Sequence, residues 1–425
     1  MQIIINPVKD KWPGIIKRPA ISHDSLQEIV EQIVNDVKQN GDEAVKKYNL
    51  KFDGVEQGSI QVSEQEFLEA DYLVSDELKK AIVMARGNIE KFHMAQFEET
   101  RKIETSPGVF CWRKSVPISK VGLYIPGGTA PLFSTLLMLG IPAMMAGCNI
   151  INVCTPPGKD GKINPVILFV AKMLGLKSVY KTGGVQAIAA MAYGTSSIPA
   201  VYKIFGPGNQ FVTAAKQRVS MDGIAIDMPA GPSEIAIYAD ATADPSFVAS
   251  DLLSQAEHGA DSQVLLVASS REIIEKVQAQ VSFQVKNLSR KEIISQSLQN
   301  SRFIVMEGIE DAFELLNAYA PEHLVIASQD AEQLADKVVN AGSVFLGHYA
   351  PESAGDYASG TNHTLPTNGF ANTYSGVSLD SFMKKITFQQ LTREGLTGLS
   401  VAIQAMAEAE GLDAHARSVS IRLTQ

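Results

Sequence analysis

What the chain lacks narrows its class. Of its 425 residues only two are tryptophan and three are cysteine, Cys111, Cys148 and Cys154. Three thiols cannot all pair, and their spacing matches no metal-binding pattern. A disulfide-stapled scaffold is therefore excluded, and a cytoplasmic location is expected. A basic excess is also missing: 37 Lys and Arg against 46 Asp and Glu leave a net charge of -9. No nucleic-acid partner is expected, because that needs clustered cations. No apolar run reaches membrane-spanning length; "PLFSTLLMLGIPAMMAG" is broken by Ser, Thr, Pro and Gly. The start, "MQIIINPVKDKWPG", lacks the charged, apolar, small-residue order of a secretory signal. The dinucleotide fingerprint G-x-G-x-x-G is absent too, since "GPGNQF" has Phe where the third glycine belongs.

What is present reads as an α/β enzyme. Hydrophobic residues at 45% and charged residues at 20% suit a globular chain with sizeable cores. Leu26, Ile29, Val30, Ile33, Val34 and Val37 recur at a helical period. "SDELKKAIVMARGNIEKFHMAQF" predicts a second amphipathic helix, with His93 at its surface or boundary. From about residue 120, strand-like runs such as "VGLYI", "NIINVCT", "EIAIYA", "QVLLVAS" and "HLVIAS" alternate with helical stretches. That alternation predicts mainly parallel sheets covered by helices. The units are too many for one open sheet, so two α/β domains are expected. The expected division is 1–120 with 235–380, then 121–234, then a helical tail over 381–425.

Polar residues gather in a few places. "YAPEHLVIA" sets Glu322 and His323 side by side before a buried strand, where only a turn lets both reach one target. In "SQAEHG", Gln255 and His258 are three apart at a helix end and share a face. "PESAGDYASGTNHTLPT" holds Glu352, Asp356 and His363 with no helix or strand pattern, a polar loop suited to a metal or a cationic substrate. In "EAEGLDAHAR", Gly411 is expected to break the helix between Glu410 and His415. The turns "YIPGGTAP", "TGGVQAIAA" and "FGPGNQFVT" each follow a strand-like run, and the last two open helices whose amides can hold phosphate. Each motif taken alone also has a plain reading as a solvated loop, a tight turn or a frayed tail.

Taken together, "VGLYIPGGTAPLFST", "KIFGPGNQFVT", "IDMPAGPSE", "ASDLLSQAEHG", "APEHL", "AGSVFLG" and "PESAGDYASGTNHTLPT" resemble the histidinol dehydrogenase family. The resemblance runs from "RPAI" at Arg18 to "DAHARSVSIRL" at the end. It implies oxidation of L-histidinol to L-histidine through an aldehyde, the last step of histidine biosynthesis, with one Zn2+ per subunit and two NAD per turnover. By motif, Gln255, His258 and Asp356 match zinc ligands. His415 matches a fourth, which reaches in from the other subunit of a homodimer with shared active sites. Glu322 and His323 match the catalytic acid–base pair. Ser233, His363 and Glu410 match substrate-binding positions, joined there by His323 and the zinc ligands. Tyr124, Gln186 and Asn209 match NAD contacts in an incomplete Rossmann-like domain at 121–234.

The residue types agree with that chemistry. Alcohol oxidation needs a base for the hydroxyl proton, and hydration of the aldehyde needs a base for water. Two proton transfers at one carbon explain two adjacent bases. A zinc- and NAD-dependent dehydrogenase of another small alcohol is the alternative on the same scaffold. A zinc hydrolase would need no NAD and would leave the glycine turns unexplained. His348 and Glu352 have no assigned role, though both are able to line the site.

Overall fold

The computed structural model describes residues 2–19, 24–127, 131–229 and 231–424. Six strands form one parallel sheet, in the order Gln2–Ile5, Arg302–Val305, Gln263–Ala268, Glu234–Ala239, His323–Ala327 and Ser343–Leu346. The strands 234–239, 263–268 and 323–327 are buried along their whole length. That suits their near-continuous apolar runs, because a parallel sheet is covered on both faces. Ile235 and Ile237 pack with Leu252 and Ile274 on one face, while Ala236 and Tyr238 pack with Phe313 and Leu316 on the other. The two-residue period of the strand produces this split.

A second parallel sheet has five strands, in the order Val179–Lys181, Ile150–Thr155, Lys120–Tyr124, Lys203–Phe205 and Ala225–Ile226. The expected parallel α/β architecture is thus observed. The helix Asp24–Asn40 brings Val30, Ile33, Val34 and Val37 against Ile188, Ala189 and Val212 of this second unit. Residues 1–120, grouped with the six-stranded sheet on sequence, give that sheet the strand Gln2–Ile5, but helices of this stretch lie against the five-stranded unit.

Two further differences have physical reasons. The tail over 381–425, read as helical, contains instead the strand Met383–Leu391. It pairs antiparallel with Val109–Pro117, which also pairs with Ile103–Ser106. Phe388 stacks on Trp112 at 5.5 Å between ring centres, a cross-strand aromatic pair that favours a sheet. The helices Arg393–Ala409 and Asp413–Leu423 then follow, broken at Gly411 with φ +71° as expected. His93 is buried, not at the surface: it follows Ile82, Ala85 and Ile89 down the inner face of Asp76–Met94. Its Nδ1 lies 2.9 Å from the Ile89 carbonyl, four residues back. Among the described residues no helix is long and apolar enough to cross a membrane.

Candidate active site

The chain turns sharply into the strand His323–Ala327. The helix Ile309–Tyr319 stops at Ala320, which takes φ +48°, and Pro321 follows. Gly342 N–H donates to the Pro321 carbonyl and Ser343 N–H to the Glu322 carbonyl, both at 2.9 Å. A Cβ on Gly342 would lie 2.5 Å from the Glu322 oxygen, so glycine permits this close approach. Glu322 and His323 are both buried.

Their shared partner is the main chain of Glu234, first residue of the neighbouring strand. Its N–H donates to Glu322 Oε2 at 2.9 Å, and its carbonyl lies 3.3 Å from His323 Nδ1. Burial pushes the Glu322 carboxyl up to about 8.

The segment read as a loop without pattern contains the helix Glu352–Tyr357. Gly355 admits it, because a Cβ there would sit 2.6 Å from the Phe345 ring. Glu352 and Asp356 are four apart and so share a face. Together they bracket His323: Nδ1 is 3.6 Å from Glu352 Oε1, and Nε2 is 3.4 Å from Asp356 Oδ1. Glu352 also accepts from Ser254 Oγ at 3.1 Å. With its amide oriented to satisfy both ends, Gln255 donates to Glu352 and accepts from the Glu234 N–H at 2.9 Å. Burial alone would lower the His323 pKa, but Glu352, Glu322 and Asp356 outweigh it and raise the imidazole to about 10. Burial raises Glu352 to about 7.

A cavity of about 930 Å³ opens onto this cluster, and Ser233, His258, Glu322, His363 and Asn209 are on its wall. Ser233 Oγ is 3.5 Å from His258 Nδ1. His363 Nδ1 is 2.9 Å from the Asp356 carbonyl, and burial lowers its pKa, which keeps the ring neutral near pH 7. Gln255 lies in the last turn of the helix Pro245–Ala256, and His258 lies two residues beyond its end.

A divalent cation fits the chemistry of the cluster. His323 Nε2 and Asp356 Oδ1 are buried with no hydrogen-bond partner, which is costly for polar atoms. His323, Glu352 and Asp356 offer ligand atoms within 4.8 Å of one another. The mixed nitrogen and oxygen donors suit zinc. Of the expected ligands, Asp356 belongs to this grouping and Gln255 is tied to it through Glu352.

The expected nucleotide contacts sit at the other sheet. Tyr124 ends its strand, and its hydroxyl accepts from Gly184 N–H at 3.2 Å. Gln186, buried in the helix Gly184–Tyr193, donates to Asn49 Oδ1 at 3.2 Å. Asn209 caps the helix Gln210–Met221 by accepting from the Phe211 and Val212 N–H groups, each at 3.1 Å. Of these three, Asn209 reaches the cavity wall. Glu410, in the turn after the helix Arg393–Ala409, and His415, in the helix Asp413–Leu423, are exposed and are not on that wall. His348 is not there either.

Sequence reasoning left two contributors without a role. The spacing of Glu352 and Asp356 carried a usable signal, since four residues is one helical turn. Glu234 carried none, because its partners lie 88 and 89 residues away.

A family model described as histidinol dehydrogenase matches residues 16–423. The chain is 56% identical over 423 residues to histidinol dehydrogenase of Bacteroides thetaiotaomicron, covering 100% of this chain and 99% of that protein. It is 52% identical over 412 residues to histidinol dehydrogenase of Aliivibrio fischeri, covering 96% and 93%. The crystal structure of histidinol dehydrogenase from Elizabethkingia anophelis superposes with a TM-score of 0.98 at 55% identity, covering 100% of this chain and 98% of that one. With the buried acid–imidazole cluster in place on its cavity, this chain belongs to the histidinol dehydrogenase family, an oxidoreductase of histidine biosynthesis acting on a CH–OH group.

Proposed function

We propose that the chain oxidises L-histidinol to L-histidine through L-histidinaldehyde, consuming two NAD and using one zinc per subunit. The observation that carries this reading is the buried Glu322–His323 pair, held by one backbone unit beside a cavity that both sheets border. Zinc would be held by Gln255, His258 and Asp356, with His415 of the partner subunit completing the set. When bound, NAD supplies a hydride acceptor, and zinc an anchor for the substrate's imidazole and amino nitrogens.

The chain's own residues do the rest. His323 takes the hydroxyl proton as hydride leaves the carbinol carbon. Glu322 takes a proton from the water that adds to the aldehyde. His323 then takes a hydroxyl proton of the hydrate as the second hydride leaves. Asp356 would hold the cation, and His323 as base would work from its neutral imidazole. Ser233, His363 and Glu410 bind substrate, and Tyr124, Gln186 and Asn209 bind NAD within 121–234. Exposed Glu410 and His415 fit a homodimer whose tails complete each other's sites, with residues 381–425 as that tail.

NADH formation from L-histidinol, with and without a chelator, tests this. Two NADH per histidinol, abolished by chelation and restored by zinc, is the expected result. No NADH from folded, zinc-loaded protein would turn the assignment toward another small alcohol.

A further inference from the structure

Glu234 stands at the centre of the site, yet the mechanism gives it no role. Its main chain meets both Glu322 and His323. Its carboxylate, 2% exposed, accepts from Arg18 Nε at 2.5 Å and from Arg18 Nη2 at 2.8 Å. Arg18 comes from the N-terminal arm, 216 residues away. The same Nη2 donates to the Tyr319 carbonyl at 2.6 Å, and the guanidinium lies 4.0 Å over the Tyr319 ring. Tyr319 Oη donates to Gln263 at 2.9 Å, and the Gln263 amide donates to the Lys17 carbonyl at 3.2 Å. The ring of contacts therefore closes on the arm that carries Arg18.

This geometry joins two pieces of backbone. One is the start of the strand Glu234–Ala239, and the other is the end of the helix Ile309–Tyr319, three residues before Glu322. Their spacing sets how far the Glu234 N–H stands from Glu322 and the Glu234 carbonyl from His323. A planar guanidinium fork fixes such a spacing, because it bonds both carboxylate oxygens at once and stacks on an aromatic face. Lysine offers charge without the fork.

We propose that Arg18 and Glu234 are positioning residues that hold the Glu322–His323 pair in place through the Glu234 main chain. The inference rests on the reading that this pair moves the protons.

The test uses full-length, zinc-loaded Arg18→Met, Arg18→Lys and Glu234→Gln, with His323→Asn as a reference. Rates, KM for histidinol and for NAD, zinc content and melting temperature are measured on each. A small displacement of a reacting group costs on the order of 100-fold in rate, so Arg18→Met is expected to lower kcat by about that factor. Its KM for NAD stays unchanged, and kcat is compared per zinc bound, because the Glu234 N–H that the fork positions also meets the Gln255 amide. Glu234→Gln keeps the main chain and the side-chain shape, and is expected to retain more kcat than Arg18→Met. Arg18→Lys is expected to recover only part of the loss. Wild-type kcat in folded Arg18→Met and Glu234→Gln overturns the proposal. A fall in kcat that only tracks lost zinc or lost folded protein overturns it too, because the contact would then be a structural staple. If Arg18→Met does not fold, Arg18→Lys and Glu234→Gln carry the same test. Full activity in His323→Asn would instead overturn the reading of the pair itself.

Discussion

The five-stranded sheet turns its carboxyl ends toward the cavity, and the six-stranded sheet turns its amino ends. Tyr124 closes a strand of the first, and Gly206 follows another. Glu234 and His323 open strands of the second. Ligands of open α/β sheets gather at carboxyl ends, where loops and helix amino termini converge. That rule covers one half of this site. The amino ends offer something else: the Glu234 N–H points at the Glu322 carboxylate and at the Gln255 amide oxygen. A backbone donor suits a carboxylate that burial would otherwise leave unsatisfied. One end therefore suits an anionic cofactor, and the other suits buried acid–base groups.

Substitutions at the two ends should separate these roles. The largest effect is expected from His323→Ala. Loss of a general base costs about 10²- to 10⁴-fold in rate, while NAD affinity measured by calorimetry stays at the wild-type value. Glu352→Gln comes next. It removes the charge that faces His323 and holds Gln255, and outer contacts of this kind are worth about 10- to 100-fold in metal affinity. Competition with a zinc-binding dye measures that loss.

Asn209→Ala belongs to the other end. Losing the cap costs about 1 kcal/mol of stability, read as a lower melting temperature. KM for NAD rises and KM for histidinol does not. A rise in both would blur the division between the two ends.

The smallest effect is expected at Asp53, which ends the helix Asp42–Asp53 on the five-stranded side. Burial raises its pKa from 3.8 to about 6. The folded state therefore favours the protonated acid. The stability this contributes is fully present below pH 3.8 and is lost as pH rises through about 6. Asp53→Asn should remove that part of the decline in urea midpoint between these pH values. An unchanged profile would show that the carboxyl is hydrated in the folded protein.

Much of the fold was legible because parallel strands buried on both faces are continuous apolar runs, as "EIAIYA" and "QVLLVAS" show. The strand Met383–Leu391 was not, because its residues are exposed or half-buried and leave no apolar alternation. His93 could have been read as buried, since Ile82, Ala85 and Ile89 precede it at spacings of three and four. Within the site, Glu322 and His323 stood out through adjacency before a strand. Arg18 and Glu234 did not, because only the folded chain brings them together across 216 residues.

The central claim is that two neighbouring bases serve two different proton transfers. Counting NADH released per histidinol by Glu322→Gln tests it most directly. The account predicts one NADH formed at close to the wild-type rate, with L-histidinaldehyde accumulating, because His323 remains for the first oxidation and hydration fails. Two NADH at the wild-type rate would contradict it, since Glu322 would then not activate the water.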